Sequence, residues 1–202
     1  MFYEGWKAFG VFICSILFPT KRTFEAPIPE EGPLILCGKH ISNADGPLSL
    51  LFFPRKVNFM AKVELFKIPV VGPFIRKMGA FPVVRGKNDV GAVKTALQIL
   101  NAGGVLGIFP EGTCIKNNDR GPVKPGAFNL ALKTKATIIP FGIYTKNWRR
   151  HFFKPSRMSF GKPMTYEELF GNGGKEKLKE VEQIVMTKIY DLSEKDYECP
   201  RG

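Results

Sequence analysis

The sequence predicts an α/β protein, in which a mostly buried mixed sheet is flanked by helices within a single layered domain. Three observations support this fold class. Short apolar runs typical of strands alternate with amphipathic stretches typical of helices. The apolar content of 44% and the charged content of 24% are those of globular proteins. A chain of 202 residues is also long enough to bury one substantial core.

A helix that lies on a membrane surface is expected over residues 1–24, followed by the layered domain over residues 25–202. Positions 8–18 carry no charged residue, but this run is shorter than the roughly 20 apolar residues that a bilayer span requires. Lys21 and Arg22 follow it and would meet anionic headgroups. A helix packed on the core would show the same pattern. The apolar residues at helical spacing are Phe2, Trp6, Phe9, Ile13 and Ile16.

Beyond Pro29, short apolar runs predict six strands, and amphipathic stretches predict three helices. The helix predicted over 89–102 has Asn88 or Asp89 as its cap and ends at Gly103. The other two helices are predicted over 126–135 and around 178–192. The strands are predicted at 34–37, 57–61, 80–84, 105–109, 137–143 and 157–160.

The net charge limits the partners of the protein. Thirty Lys and Arg against eighteen Asp and Glu leave +12, which favours a polyanion such as nucleic acid, anionic lipid or a phosphorylated substrate. Residues 144–157 mix aromatic and basic side chains without an acidic one. That pattern fits membrane headgroups, single-stranded nucleic acid or a solvated hairpin. Because the N-terminal helix also favours a membrane, we expect an anionic membrane surface as the partner.

The four cysteines are scattered along the chain without a C-x-x-C pair. This spacing fits reduced thiols in a cytoplasmic protein and supplies no zinc ligand set. We therefore expect no metal.

The segment GKHISNADGP, residues 38–47, places His40 five residues before Asp45. On one regular helix the two side chains would diverge, since each residue turns by about 100°. They can meet if His40 lies in the turn after a strand and Asp45 opens a helix over 46–53. The carboxylate would then fix the imidazole tautomer and leave the other ring nitrogen as a base. In the alternative, Asp45 is only a helix cap and His40 only a turn residue.

A second segment, GIFPEGTCI, spans residues 107–115, where another predicted buried strand, at 105–109, runs into Pro110. A carboxylate at Glu111 and a hydroxyl at Thr113 stand where that strand ends, so they are well placed to reach a ligand. An ordinary turn would have the same composition.

Together and in this order, the two segments resemble the glycerolipid acyltransferase family. The first motif of that family is H-x4-D and its third is F-P-E-G-T, which match His40, Asp45 and residues 109–113. Its second motif is similar to AKVELFKIPVVGPFIRKMGAFPVVRG, which begins at position 61. Further downstream, KPGAFNLAL and IIPFGI resemble its remaining motifs, so the resemblance extends from about residue 33 to residue 163.

The resemblance implies transfer of a fatty acyl group from an acyl thioester, either acyl-CoA or acyl carrier protein. The acceptor would be the free hydroxyl of 1-acyl-glycerol 3-phosphate, giving phosphatidic acid. His40 would act as the general base, and Asp45 would orient its ring. The resemblance also implies that five other residues bind the acceptor or its phosphate: Glu111, Gly112, Thr113, Arg85 and Lys62.

Two positions depart from the family pattern. Cys114 follows E-G-T where the family often has Arg, and Lys39 precedes His40 where the family commonly has Asn. The missing cation puts more of the phosphate binding on Arg85 and Lys62, with Lys116 as a further candidate. Cys114 also allows a rival mechanism, in which its thiol is the nucleophile and His40 is the base that activates it.

The resemblance further implies a peripheral or monotopic protein at the cytoplasmic face of the cell membrane. No cofactor besides the acyl donor and no nucleic-acid partner is expected. The motifs do not fix the acceptor, so glycerol 3-phosphate or another lysolipid is an alternative. A non-catalytic, basic membrane-binding module is a second alternative.

Overall fold

The structure, a computed structural model, describes residues 2–69, 71–84, 89–115 and 119–194. A seven-stranded sheet lies at the centre of this part of the chain, in the order β1-β7-β6-β2-β5-β3-β4. Neighbouring strands are parallel except β6 and β7, which are antiparallel. The predicted mixed sheet is therefore confirmed. Its strands are β1 (Thr20–Phe24), β2 (Leu34–Gly38), β3 (Val57–Lys62), β4 (Phe81–Val83), β5 (Val105–Ile108), β6 (Thr137–Thr145) and β7 (Ser156–Phe160).

Helices cover both faces of this sheet. The predicted cap of the helix that begins at Val90 is confirmed, because the Asp89 carboxylate accepts the Ala92 N–H at 2.9 Å. The three helices and six strands expected from apolar spacing are present, with ends shifted by one or two residues. The helices are α1 (Phe2–Leu17), α2 (Asp45–Phe52), α3 (Val71–Lys77), α4 (Val90–Asn101), α5 (Gly126–Thr134), α6 (Tyr166–Leu169) and α7 (Leu178–Glu194).

Alternate residues of β2 enter two different cores. Leu34 and Leu36 pack in a cluster with α2, whereas Ile35 and Cys37 pack in a cluster with α4, α5 and α7. All five residues of β2 are buried, as expected for a central strand that is covered on both faces. The two cores hold β2 firmly, so the turn that follows it starts from a fixed position.

The N-terminal segment differs from its prediction. Residues 20–24 were expected to belong to the N-terminal helix, but they form β1, which pairs in parallel with β7. The helix ends at Leu17 because Pro19 cannot continue it and restricts the residue before it. At the start of β1, the hydroxyls of Thr20 and Ser156 lie 2.8 Å apart. The predicted N-terminal segment therefore contains a whole strand of the sheet, and the boundary at residue 24 falls at the end of β1.

Helix α1 combines features of both interpretations of the N-terminus. Val11, Cys14 and Phe18 pack against the core cluster that contains α2, whereas Phe12 and Ile16 are exposed. Within the described residues, no helix has the length and apolar character needed to cross a bilayer. The membrane contact of α1 stays a prediction.

Strand direction collects the predicted site at one edge of the sheet. Strands β2, β3, β5 and β6 run parallel, so their carboxyl ends share an edge. Because β7 is antiparallel to β6, the first residues of β7 and of its parallel neighbour β1 lie at this same edge. In parallel sheets the carboxyl edge is where ligands bind.

Candidate active site

His40 lies in the turn directly after β2. The strand ends at Gly38, where the ring of Phe141 leaves no space for a Cβ atom. The imidazole is buried and stacks on the Phe109 ring, with centroids 4.2 Å apart and planes 14° from parallel. Phe109 thus fixes the plane of the imidazole, and the bond to Ile115 N–H (2.7 Å to the His40 carbonyl) holds its backbone.

Asp45 is fully buried and faces back toward this turn. Its Oδ2 accepts the backbone N–H groups of Ile41 at 2.7 Å and Ser42 at 2.6 Å, and it lies 3.2 Å from Nδ1 of His40. The structure therefore brings the predicted pair together. Asp45 does not cap α2, since the cap residue is Ala44 and makes no side-chain bond. An ionised Asp45 favours the tautomer with the proton on Nδ1, which leaves the lone pair on Nε2.

Arg150 also belongs to this site. As part of the basic and aromatic stretch 144–157, it was expected to contact membrane headgroups instead. Its side chain is only 1% exposed, and its Nε lies 3.4 Å from Oδ1 of Asp45. Its Nη1 donates to Ser156 Oγ at 2.9 Å. Burial lowers the pKa of Arg150, and the Asp45 charge opposes that shift. For this residue of the basic stretch, the expectation of headgroup contact is wrong.

Glu111 is also buried, with 1% of its surface exposed. One carboxylate oxygen accepts the His40 N–H at 3.3 Å, and the other accepts the Tyr190 hydroxyl from α7 at 3.0 Å. Burial and the Glu111 charge raise the pKa of the Tyr190 phenol, so it stays a donor. As placed here, Glu111 holds the turn that carries His40.

Lys39 directly precedes His40 and is buried. Its ammonium stacks over the Trp148 ring at 4.4 Å and near the Tyr190 ring at 5.3 Å. Burial lowers the pKa of Lys39, whereas the Glu111 charge opposes that shift. Lys39, which departs from the family pattern, therefore lies among the buried side chains that surround the His40 turn.

The turn after β5 brings a thiol to the base. Gly112 has a φ of +68°, a left-handed conformation that favours glycine, and Thr113 beside it is exposed. In the residue that follows Thr113, the Cys114 sulfur lies 3.2 Å from Nε2 of His40. Nε2 is the nitrogen that Asp45 leaves without a proton, so the thiol occupies the position that a substrate hydroxyl needs.

A cavity of about 650 Å³ opens beside His40 and extends between α4 and α5. Gly112, Lys124 and Lys133 lie in its wall, and the side chain of Lys124 passes directly over Gly112. Most of the wall is apolar, which suits a hydrocarbon chain. Its apolar residues include Phe59, Met60, Val83, Ile108, Ala127 and Leu130.

The basic residues predicted to bind the phosphate are not found in the cavity wall among the described residues. Lys62 is exposed at the end of β3, and it is not part of the cavity wall as the described residues form it. Arg85 and Lys116 lie outside the described residues. Lys124 and Lys133, which the sequence analysis did not select, are the lysines that reach the wall. Lys124 stands just before α5, within the predicted KPGAFNLAL motif, and Lys133 lies in the last turn of α5.

Within residues 2–69, 71–84, 89–115 and 119–194, no three His, Cys, Asp or Glu side chains form a group able to hold a metal ion.

The geometry of His40 and Asp45 suits proton transfer. An imidazole oriented by a buried carboxylate faces an apolar cavity, where it can deprotonate a hydroxyl of an amphiphilic substrate.

Comparison with known proteins identifies the family of the chain. A family model described as Acyltransferase matches residues 21–144, which is more than half of the chain. A 1-acyl-sn-glycerol-3-phosphate acyltransferase of Bacillus subtilis is 28% identical over 171 residues, covering 83% of this chain and 85% of that protein. The enzyme of the same name from Borreliella burgdorferi is 32% identical over 122 residues, covering 59% of this chain and 49% of its own length.

A solved structure has the same fold. The crystal structure of the 1-acyl-sn-glycerophosphate (LPA) acyltransferase PlsC from Thermotoga maritima superposes with a TM-score of 0.73 at 25% identity, covering 97% of this chain and 81% of that one. The likeness extends over all the elements that position His40, Asp45 and Glu111. From its sequence motifs, its sheet and its matching family model, this chain belongs to the Acyltransferase family.

Proposed function

We propose that the protein transfers a fatty acyl group from an acyl thioester to the free hydroxyl of 1-acyl-glycerol 3-phosphate, forming phosphatidic acid. The observation that carries this proposal is the His40–Asp45 pair at the mouth of an apolar cavity. The curated relatives named above act on the same acceptor by their names, which supports the choice among acyl acceptors.

In this mechanism His40 is the general base. Its Nε2 removes the proton from the acceptor hydroxyl as the oxygen attacks the thioester carbonyl. Asp45 stabilises the resulting imidazolium through Nδ1. The tetrahedral intermediate then expels the thiolate, which takes its proton from His40. The acyl group passes directly from donor to acceptor, so no acyl-enzyme is required.

The cavity has an apolar wall and two lysines, which suit different parts of the substrates. Its apolar wall suits a fatty acyl chain, whereas Lys124 and Lys133 bring positive charge to the same cavity. Lys62 and Arg85 stay candidates for the acceptor phosphate. We assign Gly112 and Thr113 to the acceptor side of the turn, and Glu111 to positioning through the His40 backbone. The basic surface suits either acidic donor, acyl-CoA or acyl carrier protein.

Thiol release from a long-chain acyl-CoA, and separately from acyl carrier protein, tests the proposal. We expect release that depends on 1-acyl-glycerol 3-phosphate and yields phosphatidic acid. Glycerol 3-phosphate and a lysolipid without a phosphate monoester are the comparison acceptors. Faster turnover of either would replace the acceptor proposed here, and no turnover with any donor and acceptor would favour a non-catalytic membrane-binding module.

Replacing Cys114 with alanine should leave acyl transfer within about threefold of the wild type, since direct transfer needs only the base. The acceptor hydroxyl takes the place of the thiol at Nε2. Steady-state rates and mass spectrometry of the protein after mixing with donor alone provide the measurement. A loss of activity in Cys114→Ala, together with an acylated Cys114 in the wild type, would identify the thiol as the nucleophile.

We further propose that the protein binds peripherally to the cytoplasmic face of the cell membrane. Four exposed side chains form what we term the N-terminal surface: Phe12 (63% exposed) and Ile16 (50%) of α1, with Phe152 (63%) and Phe153 (65%). The two segments are joined, because Phe153 N–H donates to the Leu17 carbonyl at 2.8 Å. Apolar groups beside Arg149 and Lys154 suit an anionic interface.

The double variant Phe12→Glu with Ile16→Glu should lose most of its binding to anionic liposomes in a flotation assay, because two carboxylates replace apolar groups at the interface. Ile184→Glu is the matched control, since Ile184 is 40% exposed on α7. It should bind as the wild type does. Equal binding by all three proteins would contradict the proposed contact.

A further inference from the structure

We propose that Arg150 is a positioning residue for the His40–Asp45 pair. It holds Oδ1 of Asp45 and balances the charge of Asp45, so that the carboxylate stays directed at the imidazole. This inference rests on the proposed function, because it requires His40 to act as the base. It assigns to Arg150 a role in the chemistry rather than in membrane contact.

The bonding of Asp45 leaves one place for Arg150. Oδ2 is shared among the N–H groups of Ile41 and Ser42 and the ring of His40. Oδ1 faces Nε of Arg150 at 3.4 Å. Since the carboxylate is fully buried, an oxygen without a donor would be costly. Arg150 therefore completes the set of donors that keeps the carboxylate turned toward the imidazole.

Arg150 is itself fixed by the edge of the sheet. Its Nη1 lies 2.9 Å from Ser156 Oγ and 3.5 Å from Thr20 Oγ1, the first residues of β7 and β1. Its guanidinium carbon lies 6.0 Å from the centre of the Phe18 ring. Its Nη2 is buried and has no hydrogen-bond partner among the described residues. A buried ion pair with an unsatisfied donor adds little stability, so its presence points to a functional role.

The contact between Arg150 and Asp45 also sets the net charge around His40. With His40 neutral, the charges of Asp45 and Arg150 cancel. Protonation of His40 adds a positive charge close to the guanidinium, which the guanidinium disfavours. Among the described residues, the other ionisable groups near His40 are Glu111 and Cys114 from the turn after β5, Lys39 beside it in the turn after β2, and Lys124 and Lys133 in the cavity wall. Glu111 and Lys39 are of opposite charge, so Arg150 is the cation whose removal changes the balance at Asp45.

The test compares Arg150→Met, Arg150→Lys and Arg76→Met in the full chain by the pH profile of kcat/KM. Arg150→Met should move the acid limb upward by about one pH unit and lower kcat by about 10- to 100-fold, with little change in KM for the lysolipid. Arg150→Lys keeps the charge and should keep the limb near its wild-type position. Arg76 is exposed on α3, so its variant should have the wild-type profile.

Several outcomes would overturn the inference. An acid limb and a kcat that do not change in Arg150→Met would show that Arg150 is a structural residue at the edge of the sheet. If Arg150→Met does not fold, Arg150→Lys decides: a limb shifted by a full unit despite the retained charge would exclude charge balance. Failure of the proposed function is distinguishable, because the wild type would then show no acyl transfer, or His40→Ala would keep the wild-type rate, whatever the arginine variants do.

Discussion

Replacing His40 with alanine is expected to reduce acyl transfer by about 100- to 10,000-fold, the range that a general base contributes. Nε2 of this ring is the nitrogen that Asp45 leaves able to accept a proton, and it lies beside the cavity. Phosphatidic acid formation from acyl-CoA or acyl carrier protein, measured at saturating donor, gives the rate. Because the missing function is proton removal, kcat should fall far more than the affinity for the lysolipid.

The chain supplies its own control for this variant. His151 is the other of its two histidines and is exposed, so His151→Ala should keep wild-type activity. Circular dichroism should confirm that His40→Ala folds, since its loss also removes the ring stacked on Phe109. If both histidine variants turn over at the wild-type rate, His40 is a turn residue and the proposed mechanism is wrong.

Replacing Asp45 with asparagine should lower kcat by about 1,000-fold and also destabilise the fold. The neutral amide cannot accept from Ile41, Ser42 and His40 as the carboxylate does, so the imidazole loses both its tautomer preference and the stabilisation of its charged form. Arg150 would keep a buried charge without its partner, at a cost of about 3 kcal/mol in the free energy of unfolding. Activity assays and urea unfolding provide the two measurements.

The double variant Asp45→Asn with Arg150→Met separates the two effects. It should recover part of the lost stability, because the unpaired charge is gone, without recovering activity. Asp191→Asn on the exposed face of α7 is the control for a carboxylate outside the site and should change neither quantity. A stable and active Asp45→Asn would show that the Asp45 charge has no part in the mechanism.

Local patterns predicted the buried centre of the sheet but not the edge strand β1. The apolar runs of β2, β5 and β6 are unmistakable because covered strands are apolar throughout. Strand β1 has the sequence TKRTF and no such signal. It becomes a strand through pairing with β7, more than 130 residues away along the chain, which single-sequence periodicity does not detect.

The candidate site shows the same division. The pairing of His40 with Asp45 was predictable because five residues, one turn and one helix start determine it. The contacts of Arg150 with Asp45 and of Tyr190 with Glu111 join positions 105 and 79 residues apart. Composition places Arg150 in a basic aromatic stretch, and only the strand order reveals that the stretch returns to the carboxyl edge.

The antiparallel direction of β7 determines which side chains lie at the carboxyl edge of the sheet. Because β7 and β1 start where the neighbouring strands finish, two hydroxyl groups face the guanidinium of Arg150. An all-parallel sheet would place strand ends there and move those hydroxyls to the far side of the molecule. A designer who transplants the His40–Asp45–Arg150 arrangement to such a scaffold would have to supply its outer polar layer from a new loop.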